Sequence, residues 1–573
     1  MSDGVASTVA TEPATSGLTR FVPGIGALRS YHRSWLRFDL VAGVVLAAIL
    51  MPQGMAYAEL AGLPPVTGLY TTIACLVGYA LMGPSRVLVL GPDSSVSPLI
   101  FAAIFPIVAV TDDPSKAIAL AGMMAVLVGV ILIGLGVGKL GFVADLLSKE
   151  VQVGYMNGLA ITIIVGQMPK LFGFSTDADG FIEEVQTFFT GLDERNSTAL
   201  VVGIGTLAVL LLLPRVSRAI PAVLVAVVGA TVVTALFDLE ISTVGALPQG
   251  LPKPALPWTR WDDVAPMLVA AAGITLVSLT DTIATSTAFA ARRGDEVVPN
   301  QEMIGIGTAN VAAGFFQGFA VSTSSSRTAV AESSGAKSQL TGLVGAVVVA
   351  LLLLFFSTLL ADLPQTALAA VVIAAALSLA DLKALRHYWH VRNSSFVLSL
   401  VATGGVVFFG VLQGILIAVV LSILLFFKRS WWPHGEVLGH VEGEGWHSLR
   451  MTPTAEPLPG VLVYRWEAPL FFANAGMFRQ QVRELVRKER PRWVVLQCEA
   501  ITDIDVSAAD VLEQLDRELN AQGVHLAFVE LRDRLQDLVF RYGLFATLDR
   551  DHFYDSVELA LAHIEEMPDG PVQ

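Results

Sequence analysis

Arg86-Val-Leu-Val-Leu-Gly-Pro-Asp-Ser-Ser-Val-Ser-Pro98 and Gly318-Phe-Ala-Val-Ser-Thr-Ser-Ser-Ser-Arg-Thr328 are the two stretches on which the fold turns. Each opens as a short extended run, the first broken by Gly91-Pro92, and each then passes into a polar helix start. Serine and aspartate favour that boundary because their side chains satisfy the first backbone N–H groups of a helix. Both stretches are embedded in apolar sequence, where an ordinary spanning helix would simply continue. Stretches of about 20 apolar residues recur from Asp39 to Phe427, each able to cross a hydrocarbon core roughly 30 Å thick.

The composition agrees. The 573 residues are 54% hydrophobic and only 15% charged, against about 25% charged in an ordinary soluble domain. The net charge of −14 and the lack of a basic run argue against nucleic-acid binding. Cys75 lies in an apolar run and Cys498 in a predicted strand, so no disulfide, zinc or redox motif is expected. The first twenty or so residues carry no apolar core or cleavage pattern, and no signal peptide is expected.

Four regions follow along the chain. Residues 1–30 read as a disordered tail, 31–430 as a membrane domain, 431–458 as a Gly- and Pro-bearing linker, and 459–573 as a soluble domain. About fourteen spanning segments, in two sets of seven, fit the apolar block and the charge pattern. With both termini cytoplasmic, Arg86, Lys139, Lys149, Arg215, Arg218, Arg292, Arg293, Lys383, Arg386, Arg392, Lys428 and Arg429 fall on one side. The acidic loop around Asp177, Asp179, Glu183, Glu184, Asp193 and Glu194 falls on the other. That asymmetry follows the positive-inside rule. The two interrupted stretches then occupy corresponding places in the two halves, the sequence mark of a transporter binding site.

A helix that begins inside the membrane exposes unpaired N–H groups and a partial positive charge. Two such starts facing each other make an anion site. Ser94, Ser95, Ser324, Ser325 and Ser326 would cap these starts or donate to a ligand. Arg327 is either part of the anion pathway or a structural partner of Asp93, Asp281 or Glu332. Asp93, after Gly-Pro, is either a cap or a proton-coupling group. In Leu276-Val-Ser-Leu-Thr-Asp-Thr-Ile-Ala-Thr285, Ser278, Asp281, Thr282 and Thr285 share a helix face. Asp281 and Thr285 would offer oxygens to Na⁺, or Asp281 a place for a proton. Gln53 and Tyr57, four apart, would line a cavity as an amide and an aromatic wall.

Met51-Pro-Gln-Gly-Met-Ala-Tyr-Ala58, Ala61-Gly-Leu-Pro-Pro-Val-Thr-Gly-Leu-Tyr70, Gly91-Pro92, Ser326-Arg327-Thr328 and Gly335-Ala-Lys-Ser-Gln-Leu-Thr-Gly342 occur in one order. Together with Asn300-Gln-Glu302 and Gly307-Thr-Ala-Asn310, this series resembles the SulP anion transporters over nearly the whole chain. The resemblance implies a polytopic α-helical membrane protein with a 7+7 inverted repeat of uracil permease-like fold, divided into core and gate. It also implies an anion site between the third and tenth half-helices, lined by Gln53 and Tyr57 with Asp93, Ser324, Ser326 and Arg327 nearby. Asp281 and Thr285 match positions that hold Na⁺ in a cyanobacterial bicarbonate transporter of the family. Asp93 departs from members with a neutral residue after Gly-Pro and keeps H⁺ coupling open. Sulfate, bicarbonate, chloride and dicarboxylates are all family substrates.

Val461–Glu467 and Trp493–Cys498 read as strands, and Ile504-Asp-Val-Ser-Ala508 as a helix start. This part resembles an α/β STAS domain. Ser507 matches the phosphorylated serine of soluble STAS regulators, but Val506 and Ala508 depart from that motif, so a plain helix cap is expected. The expectation is a multi-pass cell-membrane symporter of small anions, coupled to H⁺ or Na⁺, a homodimer with a cytoplasmic STAS domain. An anion exchanger or chloride channel of the same fold is the alternative, and a nucleobase–cation symporter a more distant one. Enzyme motifs and ATP-binding loops are lacking, and neither an enzymatic activity nor a cofactor is expected.

Overall fold

The computed structural model describes residues 23, 24, 26, 31–108, 114–176, 180–217, 221–257, 261–544, 548 and 550–566. The expected tail, residues 1–30, lies outside these but for three positions. The first helices are Leu36–Leu60 (α1) and Pro65–Met82 (α2), the second started by Pro64 and Pro65, where a missing N–H costs nothing. A Cβ on Gly68 would lie 1.9 Å from the carbonyl oxygen of Gly54, so glycine alone permits this α1–α2 approach.

The first interrupted stretch forms a two-residue strand, Leu90–Gly91 (β1), then Ser97–Val108 (α3). There follow Pro114–Val137 (α4), Lys149–Leu171 (α5), Phe181–Thr190 (α6), Ser197–Val216 (α7), Ala222–Phe237 (α8), Trp261–Ala291 (α9) and Pro299–Phe315 (α10). The second interrupted stretch gives Ser322–Thr323 (β2) and Ser325–Ser333 (α11). Leu340–Phe355 (α12), Gln365–Leu379 (α13), Leu382–Val391 (α14), Asn393–Phe409 (α15) and Val411–Trp431 (α16) complete the helical part. Among the described residues seven helical stretches are long and apolar enough to cross a membrane, and five shorter apolar helices, α3 and α12 among them, accompany these.

β1 and β2 pair antiparallel, Leu90 with Thr323 and Gly91 with Ser322, so the two interrupted stretches meet. Irregular backbone at this depth must find its hydrogen bonds inside the protein. Here side chains supply them. Val321 N–H donates to Asn310 Oδ1 (2.9 Å), Phe319 N–H to Thr71 Oγ1 (3.1 Å) and Val89 N–H to Thr328 Oγ1 (3.2 Å). Around this crossing α10 packs on α4 and α2, α12 on α1, and α9 on α4. A second group is built on α5, against which α13 and α15 pack, with α7 on α13 and α8 on α7. α1 touches α13 and α8 and joins the two groups.

Contacts divide the chain into two compact units, Met1–Ser422 and Ile423–Gln573. The second contains Gly435–Val441 (β3), Gly445–Ser448 (β4), Val461–Trp466 (β5), Ala475–Glu489 (α17), Trp493–Gln497 (β6), Val506–Asn520 (α18), His525–Val529 (β7), Asp533–Arg541 (α19), Phe553–Tyr554 (β8) and Val557–Glu566 (α20). The sheet order is β4-β3-β5-β6-β7-β8, parallel from β5 to β8. The stretch expected as a linker, 431–458, differs: it carries β3 and β4, a hairpin paired to β5. Its glycines mark the hairpin turn, Gly443 and Gly445 both having positive φ.

Candidate anion and coupling site

A cavity of about 1510 Å³ opens beside the β1–β2 crossing. It is lined by Gln53 and Tyr57 of α1, Asp93 and Ser94 before α3, Asp281 and Thr285 of α9, and Ser324, Ser325, Ser326 and Arg327 at the start of α11. The sequence-derived site residues therefore come together in one place. Gln152 and Met156 of α5, with Val371, Ala374 and Ser378 of α13, form the facing wall.

The two helix starts differ. Before α3, the Asp93 carbonyl accepts from Ser97 N–H (3.0 Å), and its Oδ1 accepts from Ser95 N–H (3.0 Å), so Asp93 caps its own helix. At α11, Ser324 stands at the cap position with extended backbone, but its side chain accepts from none of the first N–H groups. Ser324 Oγ lies 2.9 Å from Ser326 Oγ, and Ser325 Oγ 2.8 Å from Thr285 Oγ1. The partial positive charge of α11 thus faces the cavity without an internal carboxylate against it.

Arg327 is 1% exposed and pairs with Asp93, its Nη2 donating to Oδ2 at 3.1 Å and its Nη1 to the Pro92 carbonyl. Gly91 makes room, since a Cβ there would lie 3.1 Å from Arg327 Nη1. Of the partners open to Arg327 in the sequence, Asp93 is the one it meets; Glu332 instead binds Arg293 at 2.9 Å and Arg292 at 3.6 Å. A buried pair needs such good geometry, because desolvation of either ion alone is costly.

Asp281 has no cation within 4 Å among the described residues. Its Oδ2 lies 2.9 Å from Ser95 Oγ, and that same oxygen lies 2.8 Å from Asp93 Oδ1. Gln152 Nε2 reaches Asp281 Oδ1 at 3.5 Å from across the cavity. Ser278 and Thr282, on the predicted Asp281 face, turn inward to structural bonds with the Val321 and Ser278 carbonyls. Sequence reasoning gave Ser95 only a capping or ligand role and passed over Gln152, one of several polar residues of α5 and not set apart from Asn157 or Gln167 by sequence.

The model of the sulfate permease family matches residues 36–402, and that of the STAS domain residues 452–560. The chain belongs to the sulfate permease family. A probable sulfate transporter of Mycobacterium tuberculosis (strain CDC 1551 / Oshkosh) is 40% identical over 547 residues, 94% of this chain and 97% of its own. Sulfate transporter 4.1, chloroplastic, of Arabidopsis thaliana is 29% identical, covering 94% of this chain and 82% of its own. The murine solute carrier 26 family member A9 anion transporter, in its inward-facing state, superposes with a TM-score of 0.86 at 23% identity, covering 98% of this chain and 97% of its own. The transmembrane domain of a cyanobacterial bicarbonate transporter gives a TM-score of 0.61 at 24% identity over 69% of this chain. These likenesses establish a sulfate permease-type helical membrane fold with a STAS domain. A sulfate permease is an anion transporter and not an enzyme.

Proposed function

We propose that this sulfate permease is a proton-coupled symporter of a small oxyanion, sulfate first among the candidates, working by alternating access in the cell membrane. The observation that carries the anion reading is the uncapped start of α11, whose N–H groups and Ser324 and Ser326 hydroxyls face the cavity. Gln53, Tyr57 and Ser94 complete the polar wall, and Arg327 supplies long-range positive potential while tied to Asp93. Relatives named as sulfate transporters support sulfate.

Coupling rests on Ser95. One hydroxyl has one proton, yet this oxygen is within hydrogen-bond distance of carboxylate oxygens from both Asp93 and Asp281. Asp93 already accepts from Arg327 and from Ser95 N–H, which suits the ionised form. Ser95 then donates to Asp93, and the remaining contact needs a proton on Asp281. The chain Asp281–Ser95–Asp93–Arg327 carries that proton's presence to the anion site. Na⁺ between Asp281 and Thr285 is the competing occupant, but the Thr285 hydroxyl is engaged with Ser325. The bundle around α1–α4 and α9–α12 is the moving core and that around α5, α13 and α15 the gate. Two inverted sets of seven segments would each contribute helices to both bundles, in a homodimer with cytoplasmic termini and a STAS domain that tunes transport.

The test is uptake of labelled sulfate, bicarbonate and a dicarboxylate into proteoliposomes under an inward H⁺ gradient, an inward Na⁺ gradient, or neither. Accumulation of one anion under the H⁺ gradient alone is expected. Accumulation under Na⁺ alone moves the coupling ion to Asp281 and Thr285, and uptake that never exceeds equilibrium makes the protein an exchanger or a channel.

A further inference from the structure

Leu382-Lys-Ala-Leu-Arg-His-Tyr-Trp-His-Val391, helix α14, has no fully buried residue, yet stands between two apolar helices, α13 and α15. At 3.6 residues per turn, Lys383, Arg386, His387 and His390 fall in one arc, and Leu382, Leu385, Tyr388 and Trp389 in the arc beside it. The basic arc is exposed throughout, and no carboxylate lies within 4 Å of Lys383, Arg386 or nearby Arg392 among the described residues. In the apolar arc, Leu385 and Tyr388 are half-buried against the protein, whereas Leu382 and Trp389 remain 68% and 59% exposed. The nearest acids are engaged elsewhere: Asp381 caps Ala384 N–H (2.9 Å), and Glu150 of α5 accepts from Ser395 Oγ (3.2 Å).

We propose that α14 is a docking surface for anionic phospholipid headgroups, lying flat at the membrane boundary. An acidic protein surface would cover the cations but leave Leu382 and Trp389 in water. A bilayer edge takes both at once, with the apolar arc in the acyl region, the tryptophan at the interface and the cations against lipid phosphates. A zwitterionic headgroup offers the phosphate without net charge, so the basic arc selects anionic lipid. The consequence is mechanical. α14 follows the cavity-lining end of α13, at Ser378 and Leu379, and Asp381 N–H donates to Asn157 Oδ1 of α5 (2.8 Å). Lipid bound here pins α13 and α5 at a fixed depth. The inference needs the membrane assignment alone and is independent of the cargo.

Tryptophan quenching in the full-length protein tests it. Wild type and Trp389→Phe are reconstituted with brominated phosphatidylglycerol or brominated phosphatidylcholine, and their difference isolates Trp389. Roughly twofold or stronger quenching by the anionic lipid is expected. In Lys383→Gln/Arg386→Gln/Arg392→Gln, whose altered side chains are all exposed, both lipids should quench alike. Equal quenching in the wild type, quenching by neither lipid, or a preference surviving in the triple variant overturns the proposal.

Discussion

Arg327 and Asp93 are held to each other so closely that removing one charge and removing both should have opposite consequences. Arg327→Gln strands a buried carboxylate and should cost about 3 kcal/mol of stability. Asp93→Asn with Arg327→Gln should recover most of that melting temperature without recovering sulfate uptake. Thermal unfolding in detergent, set beside uptake, separates the pair's structural part from its part in transport. If the double variant regains transport, the arginine's charge is irrelevant to the anion. For Asp281, asparagine mimics the protonated carboxyl, since its amide donates to Ser95 Oγ. Asp281→Asn should fold normally and lose H⁺-driven accumulation, keeping only equilibrative flux; accumulation at the wild-type level rejects Asp281 as the proton carrier. The residue types at the site were legible because hydroxyls, an arginine and two aspartates are conspicuous in apolar sequence. Their connections were not. Nothing in sequence order tells that Ser95 lies between two carboxylates brought from residues 93 and 281.

In the proposed site anion recognition falls to the half-helix, and its two copies differ in charge at the cap. α3 has its own carboxylate at Asp93, and α11 has none. Ser326→Asp would give α11 a carboxylate in its first turn. This favours the helix by about 0.3–1 kcal/mol through the dipole, and should leave the melting temperature unchanged or raised. Anion affinity should fall at least about tenfold, because the internal anion competes for the same N–H groups. Isothermal titration with sulfate reads it; unchanged affinity would move the anion away from α11. Interrupted stretches were readable because Gly91-Pro92 and the serine run stop helices for local reasons. The hairpin β3–β4 was harder: its glycines and prolines look like those of a linker until β5 pairs with it. α14 was visible only as the charges of Lys383 and Arg386, with Arg392 just past its end, because ten residues are too few to read as a span.

At the scale of the whole molecule the question is movement between the bundle of α1–α4 and α9–α12 and the bundle built on α5. Gln152, reaching Asp281 at 3.5 Å, is a polar bridge between them. A change of proton at Asp281 alters what Gln152 can donate to, so the bridge is where coupling would become motion. Spin labels at Ser333→Cys in the first bundle and Leu382→Cys in the second would report the separation. Both positions are exposed, at the end of α11 and the start of α14. The native thiols do not compete: Cys75 and Cys498 are both 0% exposed, and burial holds the Cys498 thiol far above its usual pKa. Alternating access requires two populated distances. Sulfate with acid should shift their ratio, while sulfate alone or acid alone should shift it less, since each stabilises only part of the loaded core. A single distance unmoved by any condition would mean that the bundles do not exchange, and the cavity would then have to conduct as a channel.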